Sequence, residues 1–354
     1  MSRPSLTFEA KDEALRHDVG PLGTMLGELI REQCGETLFD LVETVRHASI
    51  GSREQSGHSL QQLPVAVDPA LEPELIRAFS SYFQAVNLAE RVHRIRRRRE
   101  WLREAGGPQP GNLEDAFSRL AHAVSTPDDL QALLDSIRVE PVFTAHPTEP
   151  TRRTVLRKQQ RIARRLVELM DPSLTPDETA TAWERIREEL TSTWQTEEHP
   201  GQRMTVRDEF EHVLFFLTDV IYRVVPVFYE MLERALVKVF GDLTEKIRIP
   251  VLIRFGSWVG GDMDGNPNVS AATIRATLAS QRQAILARYA AELSRLEDVL
   301  TQCPSRIKVE DAVFERCDVY GKALPEALET VPRMHSNMAY RIMCRVMGGG
   351  LRAT

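Results

Sequence analysis

The chain has 354 residues, of which 42% are apolar and 27% are charged, and its formal net charge is −6. This composition is typical of a folded globular protein and excludes a wholly disordered chain. The acidic balance argues against nucleic acid as a partner, because phosphate binding favours a basic surface. The four cysteines lack the spacing of zinc ligands or of a disulfide framework, so we predict reduced thiols.

The sequence contains no predicted export signal or membrane span. The N-terminal segment is charged and lacks the apolar stretch of a secretory signal. The most apolar stretch, residues 210–232, contains Glu211, Asp219, Arg223 and Pro226, which favours a buried helix pair over a membrane span. We therefore expect a cytoplasmic protein that does not have a membrane as its partner.

Helices are predicted over most of the first 138 residues, because apolar residues recur there at intervals of three or four. Gly35 is expected to end the first helix. The run HRIRRRRE at residues 93–100 follows an apolar helical face, so a salt-bridged surface is favoured over a nucleic-acid patch. The expected helices are 11–34, 37–50, 72 to beyond 99, 113–123 and 128–138.

Two segments break the helical pattern, at residues 139–154 and 249–270. The first predicts a short strand at Val142 and Phe143, and the second predicts a buried strand at Val251–Phe255. Each predicted strand leads into a loop. The helices expected after them are 151–170, 176–240 with a loop at 197–205, and 271–300 behind a Ser270 cap.

The loop after the first predicted strand has the sequence FTAHPTEPTRRT, residues 143–154. Pro147 disfavours helical backbone at His146, and the basic pair Arg152 and Arg153 follows about one helical turn on. Imidazole exchanges protons near neutral pH, and guanidinium groups bind phosphate or carboxylate. This loop is therefore a candidate oxyanion site. The alternative is a structural histidine beside solvated arginines.

The loop after the second predicted strand, GSWVGGDMDGNPN at residues 256–268, is rich in glycine. Such density implies close backbone approach or positive φ angles. Asp262 and Asp264 resemble the start of a calcium loop, but the glycine and glutamate that such a loop needs are missing, which excludes it. Trp258 beside backbone donors predicts a pocket for a small, partly apolar anion. The alternative is a structural loop packed by its tryptophan.

These motifs resemble those of the phosphoenolpyruvate carboxylase family. FTAHPTEPTRRT is similar to the active-site histidine signature of that family, and IRFGSWVGGDMDGNPNV at residues 253–269 resembles its glycine-rich tryptophan loop. FSSYFQAVNLAERVHRIRRRRE at residues 79–100 resembles a helix of bacterial members, and residues 194–198 resemble their W-x-T-D-E segment. The motifs occur in family order, which indicates the N-terminal portion of a bacterial-type enzyme.

The resemblance implies a lyase that converts phosphoenolpyruvate and bicarbonate to oxaloacetate and phosphate. This carbon dioxide fixation is an anaplerotic step that feeds the tricarboxylic acid cycle, and Mg²⁺ or Mn²⁺ is the implied cofactor. The implied site residues are catalytic His146, substrate-binding Trp258, Gly260 and Gly261, and activator- or phosphate-binding Arg152 and Arg153.

Several features depart from the family pattern. Met263 stands where many members have arginine, and His199, Pro200 and Gly201 replace basic residues. Family members are much longer, and the missing part is expected to supply the metal ligands, so we predict none in this chain. The C-terminal sequence VMGGGLRAT contains no evident element that closes a domain.

The expected fold is mainly α with a few short parallel strands. It corresponds to an incomplete (β/α)₈ TIM-type barrel with long helical insertions, as in the phosphoenolpyruvate/pyruvate superfamily. Residues 1–138 are expected to form an N-terminal helical region and residues 139–354 the first barrel units. The resemblance implies an allosteric homotetramer for the full-length enzyme, and we expect this chain to be inactive alone. Two alternatives stay open, a non-catalytic helical scaffold and a phosphohistidine carrier using His146.

Overall fold

The computed structural model describes residues 10–56, 67–104, 107–144, 151–198, 204–264 and 266–353. Helices account for 75% of the described residues, and two short strands pair in parallel, which confirms the mainly α prediction. The described residues form no closed barrel. The elements are α1 (Glu13–Cys34), α2 (Glu36–Ser56), α3 (Glu72–Glu104), α4 (Leu113–Leu120), α5 (Pro127–Ser136), β1 (Val142–Phe143), α6 (Arg153–Glu168), α7 (Pro176–Trp194), α8 (Val206–Phe215), α9 (Tyr222–Phe240), β2 (Gly256–Ser257), α10 (Ala271–Val299), α11 (Asp311–Ala323), α12 (Pro325–Glu329) and α13 (Ala339–Ala353).

The helices predicted from apolar spacing are present, with ends that differ by a few residues. Gly35 ends α1 with a positive φ of 87°, a backbone conformation that glycine adopts without strain. In α3, Arg96 donates to the buried carboxylate of Asp18 at 2.8 Å, and Arg97 pairs with Glu100. These contacts confirm the salt-bridged reading of the arginine run. The four cysteines are free thiols, as predicted.

The second strand lies further along the chain than predicted. The prediction of a buried strand at Val251–Phe255 is wrong in position, because β2 is Gly256–Ser257 and only Ile253 of the earlier range forms a bridge. Leu252 is buried, and its N–H donates to the Tyr229 hydroxyl at 2.8 Å rather than to a strand. Burial of the whole run was also predicted wrongly, because Val251 is 69% exposed and Phe255 is exposed as well. An apolar run alone therefore fixes neither the position of a strand nor its burial.

The chain divides into two compact units by its internal contacts. The first consists of Met1–Asn112 and Thr148–Arg203, and the second of Leu113–Pro147 and Met204–Thr354. In the first unit, α1, α3, α6 and α7 bury a common apolar core that includes Leu29, Ile162 and Ile186. Burial of such large apolar side chains stabilises each by about 1.5–3 kcal/mol. The expected boundary between an N-terminal helical region at residues 1–138 and the first barrel units at residues 139–354 stays a prediction.

The second unit has an apolar core formed by α4, α5, α9 and the segment before β2. Its fully buried residues include Leu130, Leu134 and Leu236. A separate layer consists of α10 packed along α13, with α11 and α12 against α13. The sequence VMGGGLRAT therefore forms part of a packed helix, α13, although no such element is evident from the sequence.

One described segment, Val206–Lys246, is long and apolar enough to cross a membrane by length and composition. It comprises α8, a π-helical turn, α9 and a 3₁₀ turn. Leu232 and Leu236 are buried in the core of the second unit, and the carboxylate of Asp219 accepts a hydrogen bond from Arg288 of α10 at 3.0 Å. The segment therefore contributes to the core of the second unit rather than spanning a membrane, as the sequence predicts, although only 11% of its most apolar 18-residue window is buried.

Capping boxes begin several helices and make their stability depend on pH. Thr126 and Asp129 exchange hydrogen bonds at the start of α5, and Thr175 and Glu178 do so at the start of α7. The Thr126 hydroxyl, followed by backbone N–H groups, lowers the pKa of Asp129. The backbone N–H and the hydroxyl of Thr175 lower the pKa of Glu178.

We expect these two carboxylates to contribute to the loss of stability in acid. A carboxyl whose pKa is lower in the folded state stabilises the fold above its unfolded pKa, about 4, and loses that contribution as the pH falls through the folded pKa. The combined Asp129→Asn and Glu178→Gln variant should therefore lose less stability between neutral pH and pH about 3 than the original chain does. Urea unfolding at a series of pH values measures this.

The control for this experiment changes two exposed carboxylates outside the capping boxes, Asp242→Asn and Glu245→Gln. This control variant should keep the pH dependence of the original chain. If the capping-box variant and the control variant show the same pH dependence, the contribution of the capping boxes is refuted.

Candidate functional site

The two strands bring both candidate motifs to one edge of the sheet. Val142 pairs with Gly256 and Phe143 with Ser257, so the parallel strands end side by side. The N–H of Trp258 donates to the carbonyl oxygen of Phe143 at 2.9 Å. The segment that leads to the histidine motif and the glycine-rich loop therefore leave the sheet as neighbours.

His146 itself lies outside the described residues, so its catalytic role stays a prediction. Phe143, three residues earlier, is the last residue of β1. The carboxyl ends of parallel strands are where α/β proteins place their ligand sites. The geometry of β1 and β2 is compatible with a site at this edge.

The loop after β2 is held by its own backbone and leaves its tryptophan open to solvent. The carbonyl oxygen of Trp258 accepts hydrogen bonds from the N–H groups of Gly261 at 3.1 Å and Asp262 at 2.9 Å. The hydroxyl of Ser257 accepts from the N–H of Val259 at 3.2 Å. The Trp258 side chain is 57% exposed. The loop thus presents a large aromatic face beside a tight turn, which suits contact with a partly apolar ligand.

Gly260 is the position in this loop where glycine is required by both conformation and space. Its φ is +78°, in the left-handed region. A Cβ atom added at Gly260 would lie 2.6 Å from the hydroxyl oxygen of Thr277, which is buried in α10. At Gly261 the nearest atoms are backbone oxygens at 3.9 Å, an ordinary contact distance. The side chain of Thr277 therefore packs directly against the backbone of the loop at Gly260.

We expect Gly260→Ala to destabilise the loop. The left-handed conformation costs a residue with a side chain about 1–2 kcal/mol, and the contact with Thr277 forces the loop to shift. The emission of Trp258 should change with the shift, since it lies two residues away. Thermal unfolding measures the loss of stability, and tryptophan fluorescence measures the shift of the loop. A Trp258→Phe variant shows which part of the total emission comes from Trp258.

Gly261→Ala is the matched control for Gly260→Ala, because the added methyl group meets no atom closer than 3.9 Å. Its effect on stability should stay below about 0.5 kcal/mol, as for substitutions that remove no specific contact. Equal effects of Gly260→Ala and Gly261→Ala would show that Thr277 does not support the loop.

A groove of about 1090 Å³ opens beside this loop within the second unit. Its walls are the π-helical turn at Phe216–Ile221, α9, the segment through β2 and α10. Gly260 and Gly261 line the groove, whereas Trp258 does not. Burial, together with the nearby carboxylate of Glu292, raises the pKa of Tyr222 in the wall, so this phenol stays a neutral hydrogen-bonding group.

Arg152 and Arg153 belong to the first unit, at the start of α6. The Arg152 guanidinium donates to the carboxylate of Glu197 at 3.0 Å, and the Arg152 N–H donates to the carbonyl oxygen of Glu198 at 3.0 Å. Gln84 of α3 donates to the Glu198 carboxylate at 2.5 Å. An anion that binds Arg152 therefore competes with Glu197, which occupies the same guanidinium edge.

Among the described residues, no group of three or more histidine, cysteine, aspartate or glutamate side chains is arranged to hold a metal ion. The described residues therefore do not fit a Mg²⁺ or Mn²⁺ site. In the glycine-rich loop, Asp262 instead accepts the N–H of Asp264 at 3.0 Å through its carboxylate. This contact shapes the turn.

Sequence reasoning did not find two residues that shape the loop, Ser257 and Thr277. Ser257 lies within the glycine-rich motif, and a serine two residues before the N–H group that it binds is typical of a hydroxyl that caps a turn. Thr277 had no such signal, since an isolated threonine in a helix is ordinary. Only the tertiary packing of α10 brings it beneath Gly260.

Comparison with known proteins agrees with the motifs. The profile of the family described as Phosphoenolpyruvate carboxylase matches residues 15–354. The chain is 45% identical to a phosphoenolpyruvate carboxylase of Xanthomonas campestris pv. campestris (strain 8004) over 99% of its own length. It is 35% identical to that of Burkholderia vietnamiensis over 87% of this chain, and 34% identical to that of Roseiflexus castenholzii over 94%.

The matched regions cover only part of those relatives. The chain spans 39% of the length of the Xanthomonas campestris protein, 31% of the Burkholderia vietnamiensis protein and 36% of the Roseiflexus castenholzii protein. Along its own length, by contrast, the family match extends over nearly every residue. The chain therefore belongs to the phosphoenolpyruvate carboxylase family and corresponds to part of a full-length member.

Proposed function

We propose that this chain is the N-terminal portion of a carboxy-lyase that converts phosphoenolpyruvate and bicarbonate to oxaloacetate and phosphate. One observation supports this most directly. The Trp258 N–H bonds to Phe143 at the shared end of β1 and β2, where the two family motifs leave the sheet together. A shared strand end is where a barrel enzyme assembles catalytic groups from separate segments.

The proposed chemistry begins with attack by a bicarbonate oxygen on the phosphorus of phosphoenolpyruvate. The bond between phosphorus and the enol oxygen breaks, which produces carboxyphosphate and the enolate of pyruvate. Carboxyphosphate then releases phosphate and CO₂, and the enolate carbon attacks CO₂ to form oxaloacetate. Oxaloacetate formed in this way replenishes the intermediates of the tricarboxylic acid cycle.

In this proposal the residues of this chain bind and position the reactants. His146 assists carboxyphosphate breakdown by proton exchange. Trp258 covers the methylene side of the substrate and limits access of water, which protects the enolate from protonation. Gly260 and Gly261 allow the backbone to approach the substrate closely. Arg152, with Arg153, is the proposed phosphate-binding site of an activator, which would displace Glu197.

The remaining parts of the proposal concern the full-length protein. Its cofactor is Mg²⁺ or Mn²⁺, which supplies Lewis acidity, and we place the metal ligands in the portion that this chain does not cover. Residues 1–138 form the helical region, and residues 139–354 form the first units of a (β/α)₈ barrel that the missing portion completes. The complete enzyme is a cytoplasmic homotetramer under allosteric control, and the chain alone is inactive.

The test uses a hybrid protein, defined as residues 1–354 of this chain followed by the part of the Xanthomonas campestris relative beyond its matched region. We expect bicarbonate-dependent phosphate release from phosphoenolpyruvate with Mg²⁺ in the hybrid and none in the chain alone. His146→Asn in the hybrid should lower kcat by about 100-fold or more, the usual size of a lost proton-transfer group. Trp258→Ala should mainly raise KM.

Trp101→Ala in the hybrid is the matched control, since Trp101 is an exposed tryptophan of α3 outside both motifs. It should leave turnover unchanged. Turnover by the chain alone would contradict its proposed inactivity. A folded hybrid without turnover would contradict the proposed function and favour a non-catalytic scaffold. Transfer of phosphate to His146 without bicarbonate would favour the phosphohistidine carrier.

A further inference from the structure

The C-terminal part of α3 continues beyond its packed region. Val92 and His93 are the last buried residues of this helix, and none of the described residues 94–104 is buried. Residues 94–104 form about three further helical turns. In proteins, most of the stability of a helix comes from packing of its apolar face. Turns that lack such packing are therefore a candidate contact surface.

One side of these turns combines exposed apolar side chains with arginines. In an α-helix, residues three, four or seven positions apart lie on the same side. Ile95 and Leu102 are seven positions apart, and they are 41% and 65% exposed. The other members of this side are three arginines and one tryptophan, and all of them are exposed. We name as the α3 stripe the residues Arg91, Arg94, Ile95, Arg98, Trp101 and Leu102.

The apolar part of the α3 stripe continues a face that is buried earlier in the helix. Leu88 is buried in the core of the first unit, and Ile95 and Leu102 follow it at successive intervals of seven residues. The described part of the first unit therefore covers this face at Leu88 and leaves it exposed at Ile95 and Leu102. Apolar side chains at this spacing are typical of a helix that packs on another helix.

Arginines of the α3 stripe keep their charge available to a partner. Arg96 and Arg97, which lie outside the stripe, pair with carboxylates of α1 and of α3 itself. By contrast, Arg91 and Arg94 pair with none of the described carboxylates. The stripe is therefore a basic surface on a chain whose formal net charge is −6.

The occupant that fits this pattern is a second amphipathic helix with acidic side chains. In a helix pair, apolar residues fill the seam, and charged residues beside the seam select the partner. Arg91 and Arg98 stand beside the seam formed by Ile95 and Leu102. A partner helix with glutamates beside its own apolar seam therefore complements the stripe in both charge and shape.

Two other anionic partners fit the α3 stripe less well. The bases of single-stranded nucleic acid stack on aromatic rings, whereas the centre of the stripe, Ile95 and Leu102, is aliphatic. A lipid bilayer is broader than one helix, so it also meets the surface around the stripe, in a chain of net charge −6. An acidic helix contacts the stripe alone.

We propose that the α3 stripe is the docking surface for an acidic amphipathic helix of another protein. The stripe lies in the first unit, whereas β1 and β2 belong to the second. Docking on the stripe is an interaction separate from the carboxylation chemistry, so the proposal does not depend on the proposed function.

The first experiment uses a fluorescein-labelled synthetic peptide, the acidic peptide, with leucine at heptad positions a and d and glutamate at e and g. The glutamates keep the peptide from pairing with itself. Fluorescence anisotropy measures its binding to the 354-residue chain. We expect the original chain to bind it. The Arg91→Glu and Arg98→Glu double variant should bind at least about tenfold more weakly, because like charges then face each other.

A charge exchange separates loss of contact from loss of folding. A second peptide, the basic peptide, has lysine in place of each glutamate, and it should bind the double variant more tightly than it binds the original chain. The matched control is Arg185→Glu with Arg234→Glu, which changes the net charge equally at exposed arginines of α7 and α9. This control variant should bind the acidic peptide as the original chain does.

Leu102→Asn tests the apolar seam without a change in charge. It should weaken binding of the acidic peptide by about tenfold, as for a large apolar side chain at the centre of an interface. Ile76→Asn on the same helix is the control, because Ile76 is 69% exposed and lies outside the stripe. Circular dichroism checks that each variant keeps its helical content.

Exchanged peptide preference, together with weaker binding by Leu102→Asn, would support the proposal. Absence of binding by the original chain would overturn it, as would equal binding by the double variant and its control. Binding of the acidic peptide to this chain but not to the folded hybrid would also overturn it, since the remaining portion of the enzyme would then cover the stripe. So would stripe-dependent binding to phosphatidylglycerol vesicles or to DNA that is tighter than binding of the acidic peptide.

Discussion

Glu297→Ala is expected to lower the free energy of unfolding of the second unit by about 3 kcal/mol, the size typical of breaking a buried ion pair. Glu297 of α10 is only 8% exposed, and its carboxylate pairs with Arg345 and, at 3.6 Å, with Arg341 of α13. Arg345 also donates to the carbonyl oxygen of Thr330 at 2.8 Å. Without Glu297, two mostly buried guanidinium groups lose their shared carboxylate.

Urea unfolding followed by circular dichroism measures this effect, and Glu292→Gln is the control. Glu292 lies on the same helix and pairs with Arg295 one turn away, but the pair is exposed to solvent. Such exposed pairs contribute only about 0.3–0.5 kcal/mol. Glu297→Gln should resemble Glu297→Ala, because the lost charge rather than the lost volume causes the effect. Similar stabilities for all three variants would refute the role of Glu297 in joining α10 to α13.

Gly349→Ala is expected to destabilise the chain by about 1–3 kcal/mol, the usual cost of overpacking. A Cβ atom at Gly349 of α13 would overlap the Cβ atom of Ala327 in α12, so the two helices would have to separate. This direction is opposite to helix propensity, since Gly→Ala in a helix normally stabilises by about 1 kcal/mol.

The neighbouring residue Gly348 provides the control for this prediction. A Cβ atom there meets no atom closer than 3.8 Å, so Gly348→Ala should raise stability by up to about 1 kcal/mol. Adding Ala327→Gly to Gly349→Ala should restore part of the loss, because it removes the atom that is too close. Thermal unfolding of the original chain, the two single variants and the double variant measures these changes in stability. An increase in stability with Gly349→Ala would contradict the packing of α12 on α13.

The helices were predictable because their signal is local. In α1 and α3, apolar residues three or four positions apart form one stripe, and the same stripe is buried in the structure. The start of α10 was also predictable, because Ser270 exchanges hydrogen bonds with Thr273 as a helix cap. These interactions involve residues within one or two turns, so no knowledge of the remaining chain is needed.

The strands and the last helix show where local signals fail. The apolar run Val251–Phe255 resembles a strand, but its pairing partner lies more than a hundred residues earlier in the chain, and register is set by that partner. The pairing falls on Gly256–Ser257 instead. The three glycines at residues 348–350 give no local signal for a helix, yet they lie within α13, and at Gly349 the close approach of Ala327 in α12 leaves no room for a larger side chain.

The candidate site was found in part from the sequence. The motifs around His146 and Trp258 indicated the family, and the family match over residues 15–354 confirms it. The sequence did not reveal that Glu197 occupies the Arg152 guanidinium, nor that Thr277 supports Gly260. Each of these contacts joins segments that are distant in the chain, so only the folded structure brings them together.

The sequence by itself determined the family, the mainly helical architecture and the two motifs that carry the proposed chemistry, because motifs and helical periodicity are recorded in neighbouring residues. The tertiary structure decided the strand register, the packing of Gly260 on Thr277 and of Gly349 on Ala327, and the open groove beside β2. These features depend on which distant surfaces meet, and that is settled by the simultaneous burial of many side chains rather than by any single segment.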